Sequence, residues 1–122
     1  MHTLRDEILV VMRYEINTAP NGQMIGQTVA LFRQNSGDDR AVYVNEVRKE
    51  LKGMANEGFL YPWVSSKGKL KRIEDIDLFD SRQLYYTLTY RGYRAHLEAI
   101  DRIAVARGDF QKFMRKKPGR SK

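Results

Sequence analysis

The stretch LYYTLTYRGYRAHL, Leu84 to Leu97, changes its hydrophobic period at one threonine. Leu84, Tyr86 and Leu88 alternate with more polar or amphipathic neighbours, the period of two that a half-buried strand requires. Beyond Thr89, the residues Tyr93, Leu97, Ile100 and Ala104 recur at three and four, which puts them on one stripe of a helix. Thr89 is a natural N-cap between the two, because its hydroxyl can accept a hydrogen bond from an N–H that the first helical turn leaves unpaired. A strand passing straight into a helix at a capping residue sets the frame that the rest of the chain must fit.

Upstream, three more helices are predicted. Thr3 can cap the first, running to about Asn17, with Asp6 at the capping-box position and Leu4, Ile8, Val11 and Met12 along one broad face. The turn residues of APNG, Ala19 to Gly22, end it. A second helix covers Ile25 to Gln34 with Ile25, Val29 and Phe32 inward. The third, about 44–57, aligns Val47, Leu51 and Met54 and closes at Gly58, since glycine tolerates the left-handed backbone of a helix C-terminus. Then Phe59 to Ser65 reads as one strand and Arg82 to Leu88 as its partner, with a long connection between them. The predicted fold is mainly α with a small β-hairpin, an α+β class, in a chain whose 122 residues suit one domain.

Charge is unevenly spread. Of the net +7, residues 107–122 hold +6, leaving residues 1–106 at only +1. The predicted organisation is therefore a folded domain over 1–106, with a C-terminal helix over 89–106, followed by a basic tail that is flexible or an electrostatic arm for nucleic acid. There is no cysteine, hence no disulfide framework or thiolate site. The longest apolar run, ILVVM at Ile8 to Met12, is too short to cross a bilayer, and the N-terminus has neither a basic leader region nor a cleavage site; a cytoplasmic protein without membrane contact is expected.

The order helix, helix, helix, hairpin, helix is that of a winged helix-turn-helix domain with an additional C-terminal helix. YYTLTYRGYRAHL resembles the strand-to-helix segment of the PadR-like and MarR-like winged-helix transcription regulators. VRKELKGMANEGFL is similar to their recognition helix and its exit, and PNGQMIGQTVALF, more weakly, to the turn and second helix of the PadR group. The resemblance covers roughly half the chain, in the right order. It implies a small homodimeric transcriptional regulator that binds double-stranded DNA sequence-specifically, with a recognition helix at about 44–57 in the major groove and a wing at about 65–82.

The residues can be weighed against that expectation. On the third helix, the side opposite Val47 and Leu51 carries Asn45, Lys49, Lys52 and Asn56, flanked by Arg48, while Glu46, Glu50 and Glu57 gather on the other flank. Asn45, Arg48, Lys49 and Lys52, with Tyr43 at the entrance, are the expected groove contacts; a solvated face with ion-pairing neighbours is the plainer alternative. In the connection, SSKGKLKR supplies Lys67, Lys69, Lys71 and Arg72 as wing contacts. The next segment, EDIDLFD at 74–80, carries −4 and departs from the family pattern. It either folds back on the body or engages a protein partner, so the alternative function is a winged-helix protein-interaction adaptor with a nucleic-acid-binding basic tail.

No enzymatic activity, cofactor or metal is expected. His96 and Glu98 form H-x-E without the cysteines of a zinc deaminase, and no phosphate-binding glycine loop is present. The aromatics Tyr61, Trp63, Tyr85, Tyr86, Tyr90 and Tyr93 have two readings, base stacking or an effector pocket on one side and ordinary packing on the other. Finally, Ala95, Ala99, Ile103 and Ala106 form a second stripe on the last helix; it predicts either a homodimer through that helix or burial of both stripes in one monomer.

Overall fold

The computed structural model describes residues 2–13 and 19–107, with side chains as far as Ile103. Four helices, α1 (Leu4–Val11), α2 (Gly22–Asn35), α3 (Val44–Asn56) and α4 (Tyr90–Arg107), surround one side of a three-stranded antiparallel sheet. Its strands are β1 (Leu60–Ser66), β2 (Lys69–Arg72) and β3 (Leu84–Leu88), in the order β2-β1-β3. The architecture is thus mixed α+β.

Three of the four helices start at a residue whose side chain accepts from a free N–H group, whereas α3 starts at Tyr43 without a side-chain cap. Thr3 accepts from the Asp6 amide at 3.1 Å, and Asn21 accepts from Met24 at 2.9 Å, so α2 begins three residues before its apolar pattern does. The first helix is shorter than its pattern predicts. It ends at Val11 because Met12 leaves the helical backbone for an extended one and keeps its side chain in the core; of the remaining residues expected to be helical, Arg13 is not, and 14–18 lie outside the described residues.

Hydrogen bonds of Thr89 tie the junction together. Its hydroxyl accepts from the Gly92 amide at 2.9 Å and donates to the Gly58 carbonyl at 2.7 Å, while its own amide donates to Phe59 O at 3.1 Å. The start of α4 is thereby riveted to the exit of α3, where Gly58 takes a φ of 88°. Gly92 is pressed so tightly to that exit that an added Cβ would collide with the Phe59 carbonyl oxygen.

Two expectations need correction. The predicted two-stranded hairpin is a three-stranded sheet, because the basic half of the long connection turns back at Lys67 and Gly68 and pairs with β1 as β2, Ser66 opposite Lys69 and Trp63 opposite Arg72. All four β2 residues are exposed, so no apolar alternation marks them as a strand. On α4, the stripe assigned to the core is turned partly outward: Leu97 is 44% exposed, while Tyr93 and Ile100 are half-buried. The stripe assigned to a dimer is turned in, with Ala99 0% and Ile103 1% exposed. Small residues let α4 lie close along α1, where His96 Nδ1 meets the Leu9 carbonyl at 2.6 Å and Ile103 packs on Val10 and Phe32. Ala95 is half-buried against the same core, and the Ala106 side chain lies outside the described ones. Ala99 and Ile103 are therefore covered by the chain itself.

A buried charge network positions the start of α3. Glu7 is fully buried and receives Arg33 in a two-pronged contact, 2.6 and 2.9 Å, which satisfies both carboxylate oxygens. Arg33 also donates to the Ala41 carbonyl at 2.8 Å, and Arg40 bridges Glu7 and Asp38. One carboxylate in α1 thus organises the connection that delivers Tyr43 to the head of α3. Its removal would leave a buried guanidinium uncompensated, a loss of about 3–5 kcal/mol in comparable cases.

Candidate nucleic-acid interface

Helix α3 is held by its underside. Val47, Leu51 and Met54 are fully buried, and α1 clamps one flank through Arg5, which pairs with Glu50 at 2.6 Å and Glu57 at 2.8 Å. The hydrogen bonds from Arg5 hold the Glu57 carboxyl below its ordinary range. Two of the three acids of that flank are thus held by one arginine of α1, while Glu46 stays exposed in the first turn of α3.

The groove contacts expected from sequence divide into two sets. Tyr43, at the N-cap with its side chain 62% exposed, stands with Asn45 and Lys49 on the outer surface. Among the described residues Lys49 has no ion pair. Arg48 and Lys52 are half-buried. Arg48 lies across the start of α2, where a Cβ on Gly22 would come within 2.7 Å of its Cγ, and only a long 3.4 Å contact joins it to Asn45. Lys52 is 3.4 Å from Asp77 in the acidic segment.

That segment folds back on the body. Asp75 caps a short 3-10 turn, Ile76–Leu78, whose Ile76 is buried in the core, and Asp80 caps a second, Ser81–Gln83, with a reciprocal capping box. The Asp80 carboxyl is lowered from an ordinary 3.8 to about 2, chiefly by the Arg82 side chain and amide and to a lesser degree by the charges of Arg82 and Arg48. Asp77 therefore tempers Lys52, and Asp80, paired with Arg82, adds a weaker field at Arg48, which leaves Lys49 as the exposed, unpaired cation of α3 among the described residues.

The β1–β2 hairpin is a different surface. Lys67 and Gly68 both have positive φ, 53° and 79°, the geometry of a two-residue hairpin turn whose twist matches its strands. Glycine adopts that backbone freely, whereas lysine is uncommon there. Lys67, Lys69, Lys71 and Arg72 are all exposed, as the wing assignment requires, but they do not share a face. Register places Lys71 opposite Val64 and Lys69 opposite Ser66, on the core-facing side, while Arg72 opposes Trp63 on the other. Lys71 also lines a hollow of about 500 Å³ with Val64, Ile73, Phe79 and Gln83.

The outward face of the sheet carries Arg72 of the expected wing contacts, beside residues not assigned to the interface from sequence. Tyr61, Trp63, Leu70, Arg72, Tyr85 and Thr87 project from it by strand alternation. The Arg72 guanidinium lies 4.0 Å from the Tyr61 ring centre, and Trp63 Nε1 donates to Thr87 Oγ1 at 2.9 Å. The signal available in sequence was the odd spacing of Tyr61 and Trp63 in a strand whose buried side is Leu60, Pro62 and Val64. Tyr86 points the other way: its hydroxyl is buried without a hydrogen-bond partner among the described residues, and burial pushes it up to about 12. It belongs to the core.

Comparison with family models, curated proteins and solved structures finds no match to this chain. Among the described residues no helix is long and apolar enough to cross a membrane.

Proposed function

We propose that the protein is a duplex-DNA-binding regulator of the winged helix-turn-helix kind, resembling the PadR-like and MarR-like regulators, with the N-terminal half of α3 in the major groove and the tip of the β1–β2 hairpin on flanking phosphates. The observation that carries this reading is the exposed set Tyr43, Asn45 and Lys49 on a helix whose underside is locked into the core. Asparagine suits an adenine edge and lysine a guanine edge or a phosphate, and a rigid support lets such contacts discriminate between sequences. The element order and the basic hairpin support the same reading. Arg48 and Lys52 serve as flanking charges in this proposal, since both are half-buried and face acids.

Replacing Lys49, Lys67, Lys69 and Lys71 together by alanine should weaken duplex binding and make the dependence of log K on log salt shallower by up to about 3.6, the counterion release of four phosphate contacts. Far-UV circular dichroism should not change. The basic residues of 107–122 are the same in both proteins, so their contribution cancels. Equal affinity and equal slope would end this reading.

One observation favours a second reading, a protein-interaction adaptor. Leu78 is 76% exposed between Asp77 and Asp80, on a turn anchored by Ile76. Under that reading the quadruple variant retains its protein partner and Leu78→Asp loses it.

A further inference from the structure

The outward face of the sheet combines three properties. It is aromatic and partly open: Tyr61 is 37% exposed, Trp63 and Tyr85 are half-buried, and Arg72 and Leu70 beside them are exposed. It is also ordered, because Trp63 reaches diagonally from β1 to the Thr87 hydroxyl on β3 while Arg72 of β2 reaches back over Tyr61, each side chain held by a neighbour on the next strand. Lastly, it is electropositive by exclusion. None of the three strands contains an aspartate or glutamate, in a chain that has fifteen, and of the hairpin's cations Arg72 lies on this face, with Lys67 at the turn and Lys69 and Lys71 on the opposite side of the same ribbon.

We propose that this face binds unpaired nucleotides, as a stacking platform for single-stranded nucleic acid. Bases in a duplex are stacked on one another and offer no free ring face to a flat sheet; bases in a single strand do, and they stack on aromatic rings and on guanidinium planes alike. Arg72 over Tyr61 is already one such layer, with the ring beneath and the cation above. A base placed on the guanidinium extends the stack, and the indole of Trp63, two residues along β1, accepts the next. The backbone phosphates then run toward the hairpin edge, where Lys67 stands at the turn and Lys69 and Lys71 lie on the other side of β2. A peptide partner is the weaker match, because a face that carries Arg72, borders a lysine-rich hairpin and has no acid in its strands favours a polyanion. This platform is separate from the α3 face proposed for duplex DNA, and it does not depend on that assignment.

Trp63 is the chain's one tryptophan, so intrinsic fluorescence reports on this site directly. Titration of the full-length protein with an oligothymidylate of about twenty nucleotides should quench the emission, with binding followed in parallel by anisotropy of the labelled oligonucleotide. Inorganic polyphosphate, which has charge but no bases, should leave the emission unchanged. Tyr61→Leu keeps every charge and should lower oligothymidylate affinity about 5- to 100-fold, the range for losing one base stack; Tyr61→Phe retains the ring and should restore it. Duplex affinity should be the same in all three proteins. Saturating binding without a change in Trp63 emission, or equal affinity for the Leu and Phe variants at unchanged melting temperature, would overturn the platform. A Lys49→Ala variant that loses duplex but keeps the quench separates failure of one site from failure of the other.

Discussion

The basic hairpin and the acidic segment that follows it are neighbours in sequence, similar in length and opposite in charge, and the structure treats them oppositely. Residues 67–72 stand out as a ribbon whose side chains are all exposed and whose shape rests on backbone pairing with β1. Residues 74–80 are pinned by one buried isoleucine, two aspartate caps and an ion pair to α3. The difference teaches that charge density alone does not say whether a segment is displayed or docked. An apolar residue at the right register decides, because burying one isoleucine outweighs what several exposed carboxylates can gain or lose in water.

The comparison breaks most readily at its anchors. Ile76→Ala should cost about 2–4 kcal/mol in chemical denaturation, as large-to-small changes in a packed core do, whereas Leu70→Ala on the ribbon should stay within about 0.5 kcal/mol. Similar losses at both would mean the ribbon is docked too. A smaller effect tests the turn. Gly68 has a φ of 79° with nothing within 4 Å of an added Cβ, so Gly68→Ala should cost about 1 kcal/mol from backbone strain alone. Lys67→Gly should instead stabilise by a few tenths of a kcal/mol while weakening binding to nucleic acid. A gain in stability with no loss of binding would show that the lysine at the tip contacts no phosphate.

The smallest effect concerns the caps of the acidic segment. Because Arg82 lowers Asp80 in the folded state, its contribution to stability is complete above the unfolded carboxylate range, near pH 4, and is lost as the pH falls through about 2. Asp80 is exposed, so the effect is modest. Thermal melts of Asp80→Asn and the parent protein should differ at pH 5 and converge toward pH 2. A difference independent of pH would remove the ionised carboxylate from the account.

Where hydrophobic period was strong, the sequence was legible. Val47, Leu51 and Met54 put α3 in place, and the change of period at Thr89 located the β3–α4 junction, cap included. Asn45 and Lys49 were legible as an outer face for the same reason. Elsewhere the pattern was silent or misleading. β2 has no buried side, so nothing in its sequence alternates with burial. On α4 two apolar stripes competed, and periodicity cannot choose between faces of comparable hydrophobicity; close approach of α1 chose the one with the smaller residues.

What the sequence determined by itself is therefore local: which strongly periodic segments are helical or extended, where Thr3 and Thr89 start helices, and where Gly58 ends one. Those properties depend on residues within a few positions of one another. Tertiary structure decided which charges are free. Glu7 found Arg33 twenty-six positions away, Glu57 found Arg5 fifty-two away, and Lys52 found Asp77 across the sheet connection. Ionic pairing depends on distance in space, and the folded backbone, held by its apolar core, sets that distance; only after folding is Lys49 left exposed while Arg48 and Lys52 are drawn against their neighbours.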